Sequence, residues 1–369
     1  MLRQTTVLLR CVSRKNCGAS LKLETPETDV SNEVNYGTLV CVQCKATYPI
    51  VAGVAIVVPK VREYFLAHVK GITKYVPDAH IPKEYRKEFI AYRRQIEVEL
   101  TEADLESDRV NALYLMNHYL SVKGTKVEWW KNPNAETSPI IESLVHEYWD
   151  EGPFSKVHEW LEGTPEVVEL GCGVGGLLHK IRKQVKSYLG VDNAFHSVIL
   201  ARHFNLGTEM EHALRIPADL LQGTLSEDFP FPVKTQDARN SDGAFDFIVG
   251  EIESPPLPRH HWDVSISLNT IDMLEEPKVL PQIQKDLIKS KGFAIQSGPY
   301  IWNDRVSKRL RSQLPKDVRD SATAVEWLYT KAGFEILKKD DHVPWLFFKH
   351  GRQIELYSVQ IFLAHKLRE

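Results

Sequence analysis

Apolar and polar positions divide this chain into stretches of different character. From residue 167 onward, short apolar runs recur between longer amphipathic ones. They are Val167-Val168 closed by Glu169-Leu170, Ser187 to Val191 closed by Asp192, Phe245 to Ile252, Trp262 to Asn269, and Lys291 to Tyr300. The pair Val167-Val168 is continuous rather than alternating, as in a central strand buried on both faces. The stretch LLHKIRKQVK between the first two runs suits a helix, and the alternation predicts an open α/β sheet. A helix around Ala322–Ala332 and two β-rich runs, Pro344–Lys349 and Glu355–Leu363, close the chain. Their short connection predicts an antiparallel hairpin.

Upstream, roughly Val61 to Pro139, the chain turns helical in character. Tyr85, Phe89 and Tyr92 are spaced for one helix face, and the basic stretch Lys83 to Arg94 precedes an acidic one, Glu97 to Asp108. Such charge runs read as a solvated face bridging two modules, with RNA contact the alternative. Gly124 through Ser138 reads as the last connector. The expected organisation is an N-terminal module over residues 1–60, a helical connector over 61–138 and an α/β domain over 139–369.

The most informative ten residues are Val167 to Gly176, a strand that ends in an acid and enters a glycine-rich turn opening a helix. Glycines there let the backbone pass close under a nucleotide-like ligand. Gly171, Gly173 and Gly176 satisfy the dinucleotide pattern G-x-G-x-x-G, with Asp192 at the expected distance. Glu169, Gly171, Gly173 and Gly175 equally satisfy E/D-x-G-x-G-x-G, the pattern of class I S-adenosylmethionine methyltransferases. The segments that follow, in order and with their closing hairpin, resemble the methyltransferase family. That resemblance implies a Rossmann-like sheet with a C-terminal antiparallel hairpin and S-adenosylmethionine as cofactor. It implies that Glu169 reaches the methionine ammonium through the loop, that Gly171, Gly173 and Gly175 form the turn, and that Asp192 holds the ribose hydroxyls. It also places Glu251 and Ile252 along the adenine and Asn269 at the cofactor edge. Cys172 reads as a small filler inside the turn.

The N-terminal module carries a second signal. Cys11 and Cys17 form one pair and Cys41-Val42-Gln43-Cys44 another, matching tetrahedral Cys₄ zinc ribbons. With Tyr48-Pro49-Ile50-Val51-Ala52-Gly53 following, this module resembles the small zinc-ribbon activator subunit of tRNA, rRNA and release-factor methyltransferases. Val54-Ala55 stands where that family usually has Ile-Pro. The resemblance implies a small α+β ribbon whose first strand is Thr6 to Cys11, with zinc on Cys11, Cys17, Cys41 and Cys44. A disulfide pairing is the alternative.

Composition alters this picture little. The 369 residues suffice for two or three cores, and 43% hydrophobic with 26% charged residues is ordinary for a globular protein. A net charge of −3 supplies no global attraction to nucleic acid or anionic lipid, and no apolar run approaches a membrane span. Residues 1–23 lack acids and carry several Arg and Lys, which resembles a mitochondrial presequence. Because the same residues hold a cysteine of the ribbon, a cytoplasmic, uncleaved chain is expected.

The methyl acceptor is less legible. Asn269-Thr270-Ile271-Asp272-Met273-Leu274-Glu275-Glu276-Pro277 and Ser297-Gly298-Pro299-Tyr300-Ile301-Trp302 resemble methyltransferases acting on 4-mercaptohistidine, with Met273 where that group usually carries Arg. The expectation is methyl transfer to a small-molecule imidazole or amine nitrogen. An RNA or translation-related protein acceptor, guided by the ribbon, is the alternative, and a non-catalytic scaffold a further one. Asp272 is the candidate for orienting or deprotonating the acceptor, and Tyr300 for facing the sulfonium. Trp302, Tyr148, Trp149 and Phe154 are further aromatic candidates, and His342 and His350 further bases. No oligomeric state is indicated.

Overall fold

A computed structural model describes residues 1–13, 17–24, 32–97, 102–121, 138–207, 215–217, 228–230, 244–350 and 353–367. Gly124 to Thr137 of the expected last connector, most of the insertion between Asp192 and Phe245, and the side chains of Glu97 to Asp108 lie outside these residues.

The chain opens with four antiparallel strands, β1 (Leu21–Glu24), β2 (Gly37–Cys41), β3 (Thr47–Val51) and β4 (Val54–Ala55). Helices α1 (Val61–Ala67), α2 (Val69–Thr73), α3 (Arg86–Glu97), α4 (Glu102–Tyr119), α5 (Pro139–Tyr148) and α6 (Pro153–Trp160) follow. Then come β5 (Glu166–Leu170), α7 (Gly176–Ile181), β6 (Ser187–Asp192), α8 (Phe195–Leu206), and the short pair β7 (Arg215–Pro217) and β8 (Asp228–Pro230). The chain continues through β9 (Ala244–Val249), β10 (Trp262–Leu268), α9 (Val279–Leu287), β11 (Ile288–Gly298), α10 (Asp304–Gln313) and α11 (Ser321–Ala332). It closes with β12 (Phe334–His350) and β13 (Gln353–Lys366).

Seven strands form the main sheet in the order β9-β6-β5-β10-β11-β13-β12, with β13 antiparallel to both neighbours. Sequence order runs outward from β5 to one edge, then returns to β10 and proceeds to the other. The reversal between β5 and β10 opens a crevice at their carboxyl ends, where α/β sheets bind ligands. The expected α/β class and closing hairpin are present, and the hairpin is longer than the two β-rich runs. Alternation along β5 sends Val167 into the core beneath α4, α7 and α8, and Val168 with Leu170 into the core facing α9 and α11.

The N-terminal four-stranded unit continues this sheet. Ile56 bridges Val249 in parallel at the β9 edge, the Val57 amide donates to the Val249 carbonyl at 2.9 Å, and the Arg10 amide donates to the Pro256 carbonyl at 2.9 Å. Covering β9 in this way removes an exposed strand edge. Leu9, Leu39, Tyr48 and Val57 lie in the same core as Leu189 and Ile248. Two carboxylates and a guanidinium, all on different segments, tie the junction: Arg202 on α8 pairs with Glu33 and with Asp246 on β9. Asp246 also accepts from the Leu2 amide at 2.8 Å and the Thr5 hydroxyl at 2.7 Å.

Two expectations are corrected. Thr6 to Cys11 is not a strand: a 3₁₀ helix spans Arg3–Leu8, and only Arg10 pairs, with Ser20. The Thr6 hydroxyl bonds back to the Arg3 carbonyl at 2.7 Å and Thr5 bonds to the distant Asp246, so side-chain bonds, one local and one long-range, win over the ladder. On α3 and its lead-in, Tyr85 and Phe89 are buried against Phe65, whereas Tyr92 is exposed. No described helix is long and apolar enough to cross a membrane.

Candidate active site

The β5–α7 turn supplies the floor of a cavity of about 390 Å³ at the β5/β10 reversal. That size suits a cofactor-sized ligand. Gly171 adopts φ +79°, and an added Cβ would stand 2.6 Å from the Thr270 hydroxyl, so the loop after β10 closes against it only because Gly171 has no side chain. Gly173, at φ +50°, has open space where a Cβ would project, leaving its backbone bare toward the cavity. Gly175 serves a different purpose. A Cβ there would meet Ala201 and Asn205 at 2.8 Å, so it lets α8 pack closely and does not line the cavity.

Glu169, on β5, is 3% exposed and lines the cavity, and the Tyr188 hydroxyl donates to its carboxylate. Burial pushes its carboxyl up to about 8, the Tyr188 bond offsetting part of that and the charge of Asp192 adding to it. Asp192, at the tip of β6, accepts from the Gly173 amide and the Ala194 amide, each at 2.8 Å. Burial raises its carboxyl as well, and these amides oppose the shift. The turn, Glu169, Asp192 and Asn269 therefore meet at one cavity.

Asn269 holds a left-handed φ of +54° at the end of β10, donates its amide to the Ser297 carbonyl at 2.9 Å and receives the Ser297 hydroxyl at 3.0 Å. Strained positions of this kind cluster at ligand-binding edges of sheets. Glu251 and Ile252, in the turn after β9, do not line the cavity. Glu251 accepts from Ser254 at 3.4 Å, and Ile252 packs beside the core that holds Ile271.

Asp272 and Tyr300 are also not among the residues lining the cavity. Asp272 is buried, and its carboxylate accepts the Ile301 amide at 2.7 Å, tying the loop after β10 to the loop after β11. Tyr300, at φ +59°, donates to Gln360 at 2.7 Å and stacks on Trp302 at 5.9 Å. Of the other aromatic candidates, Trp149 and Phe154 line the cavity, and Tyr148 and Trp302 do not. His342 is an exposed hairpin residue bonded to Ser358, and the His350 side chain lies outside the described residues.

The sequence pattern missed the roof. Asn111, Tyr114, Asn117 and His118 on α4 all line the cavity, as do Trp345 and Leu346 on β12. The signal was there in part, since Asn111, Asn117 and His118 interrupt the apolar C-terminal half of α4. His118 packs between the rings of Tyr114 and Phe154, and burial, then the nearby Lys180, lowers it to about 4, so it stays neutral.

In the N-terminal unit, the thiol sulfurs of Cys11, Cys17, Cys41 and Cys44 lie within 4.8 Å of one another, and none of the four is disulfide-bonded. Cys11–Cys44 is 3.5 Å, Cys17–Cys41 3.7 Å and Cys17–Cys44 3.8 Å. A tetrahedral ion with bonds of about 2.3 Å would hold its sulfurs roughly 3.8 Å apart, so the donor set fits zinc. The Tyr48 hydroxyl, 3.2 Å from the Cys11 sulfur and receiving the Val12 amide at 3.0 Å, supports the cluster from behind.

No family model and no curated protein matches this chain. Solved structures similar to it include a complex between the Haloferax volcanii Trm112 methyltransferase activator and a methyltransferase, at 14% identity and TM-score 0.38, covering 62% of this chain and 93% of that one. Magnesium protoporphyrin IX methyltransferase from Synechocystis PCC 6803 is similar at 14% identity and TM-score 0.40, over 71% and 95% of the two chains. The [4+2]-cyclase SpnF is similar at 13% identity and TM-score 0.39, over 72% and 95%.

Proposed function

We propose that this protein is an S-adenosylmethionine-dependent methyltransferase with a zinc ribbon built into the same chain. The observation that carries the reading is the convergence of the glycine turn, Glu169 and Asp192 on one cavity at the reversal of a β9-β6-β5-β10-β11-β13-β12 sheet. Bound there, the cofactor supplies an electrophilic methyl group on sulfonium sulfur. Glu169 accepts its ammonium, the Gly171–Gly173 backbone receives the methionine end, Asp192 accepts the ribose hydroxyls, and Asn269 borders it. Asp272 and Tyr300 act as positioning residues that hold the loops after β10 and β11.

The acceptor in this reading is a small molecule bearing an amine or imidazole nitrogen. Trp149, Phe154 and Trp345 line the same cavity as Asp150 and Glu151, a mix of aromatic and acidic residues that favours a cationic or ring-nitrogen group. Residues of α4 and β12 cover part of the cavity, which favours alignment of the acceptor for in-line transfer. An RNA or protein acceptor is the second reading, favoured by the cysteine cluster. Incubation with methyl-labelled S-adenosylmethionine and cell extract, before and after desalting, separates them. Label confined to the small-molecule fraction of the undesalted extract supports the first reading, and label on RNA or protein supports the second.

Asp192→Ala should weaken binding of S-adenosylhomocysteine roughly 10- to 100-fold, the loss of charge-assisted hydrogen bonds worth about 1.5–3 kcal/mol. Calorimetric titration showing unchanged affinity removes Asp192 from the ribose site. Purified protein should also carry about one zinc per chain, and Cys41→Ser should lose the metal and the cooperative melting of the N-terminal unit. Metal-free protein with an unaltered melting curve would refute the zinc assignment.

A further inference from the structure

Helix α8 begins immediately after the Asp192 turn, and its N-cap is Ala194, which has no side chain able to accept a helix amide. The first turn of such a helix normally needs an acceptor from elsewhere. Asp192 takes the Ala194 amide, but the Phe195 amide, in a fully buried residue, is left for another partner. Tyr64 on α1 supplies it. Its hydroxyl accepts from the Phe195 amide at 3.1 Å and donates to the Asn193 carbonyl at 2.7 Å. One hydroxyl therefore closes both polar groups that flank the carboxylate-bearing turn, from a residue more than a hundred positions away in sequence.

The Tyr64 ring is itself fixed. It is 6% exposed and stacks on His68 at 4.0 Å. Burial, together with the nearby charge of Asp192, pushes the phenol well up, so it stays protonated and able to donate. Helix α1 in turn follows directly from the Ile56–Val57 segment that extends the sheet along β9.

We infer that Tyr64 is a positioning residue for the cofactor site: its hydroxyl holds the β6–α8 turn so that the Asp192 carboxylate meets the ribose hydroxyls in a preset orientation. This rests on the methyltransferase reading proposed above. Tyr64→Phe keeps the ring and its stacking and removes only the hydroxyl. The Asn193 carbonyl and Phe195 amide then lose their partner, and the turn relaxes.

The test is calorimetric titration of S-adenosylhomocysteine into the full chain, as wild type, Tyr64→Phe and Phe65→Leu. Phe65 is fully buried on the same helix and packs against the rings of Tyr85 and Phe89, so its variant reports general loosening of α1. The expected result is about tenfold weaker binding for Tyr64→Phe, with Phe65→Leu binding like wild type at a temperature well below both melting points. Equal affinity of wild type and Tyr64→Phe overturns the inference, as does an equal loss in Phe65→Leu. Failure of the wild type itself to bind S-adenosylhomocysteine overturns the methyltransferase reading instead. Should Tyr64→Phe not fold, hydrogen exchange in the wild type decides. Slow exchange at Phe195 without ligand is expected, and exchange as fast as at a frayed helix end overturns the inference.

Discussion

Glu169→Gln should weaken S-adenosylhomocysteine binding about 100-fold while raising the melting temperature of the ligand-free protein at alkaline pH. Both effects follow from one buried carboxyl. Its folded-state pKa is raised to about 8 by burial, above the ordinary value of an unfolded chain. A raised acid contributes stability that is fully present below the unfolded value and is lost as pH rises toward the folded value. The destabilisation therefore accumulates between about pH 4.5 and 8 and is constant above, reaching on the order of 5 kcal/mol. Glutamine stays neutral and escapes it, so the difference in melting temperature between variant and wild type should widen across that window. Binding runs the other way. A ligand ammonium needs the ionised carboxylate, and truncating one partner of a buried charge pair costs about 2–5 kcal/mol. Wild-type affinity should accordingly climb as pH approaches 8, with proton release detectable by titration in buffers of different ionisation enthalpy. A variant that binds as tightly as wild type, or whose melting temperature tracks wild type at every pH, would remove Glu169 from the proposed role.

Arg202→Ala should destabilise the whole molecule by about 3–5 kcal/mol, because it strands Asp246, 2% exposed, without its counter-charge. Asp246 would then keep the Leu2 and Phe247 amides and the Thr5 hydroxyl as donors but no opposite charge. Since Glu33 loses the same partner, the N-terminal unit should loosen first, and limited proteolysis should cut residues 1–60 before the α/β domain. Arg202→Met combined with Asp246→Asn should regain much of the loss. Asparagine still accepts from Leu2 and Thr5, methionine fills the volume, and no buried charge remains. If denaturant melts place the single variant within 1 kcal/mol of wild type, the cluster is not what secures the junction.

Much of the architecture was legible because it is written in local periodicity. Short apolar runs such as Val167–Val168 and Phe247–Val249, bounded by turn residues, fit strands buried on both faces, and their order predicts the α/β sheet that the chain forms. The glycine turn was legible for the same reason: Gly171 and Gly173 hold backbone angles that other residues avoid. Side-chain destinations were less so. Asp272 reads as a base from its place after β10, and in the folded chain its carboxylate accepts the Ile301 amide. Tyr300 looked like a cofactor contact, yet its hydroxyl turns toward Gln360.

The N-terminal strand shows why short segments mislead. Thr6 to Cys11 has strand-like composition, but a carboxylate on β9, far away in sequence, binds the Leu2 amide and the Thr5 hydroxyl just before it and holds the chain there in a 3₁₀ turn. The same holds for α4, read as connector, whose Asn111, Asn117 and His118 form a wall of the cavity. Periodicity and motif spacing thus determine the strands, the glycine turn and the cysteine pairs, because each is set by neighbours within a few residues. The junction with β9, the α4 roof and the Tyr64 bond to the Asp192 turn arise only in the folded chain, because each depends on groups separated by tens to hundreds of residues.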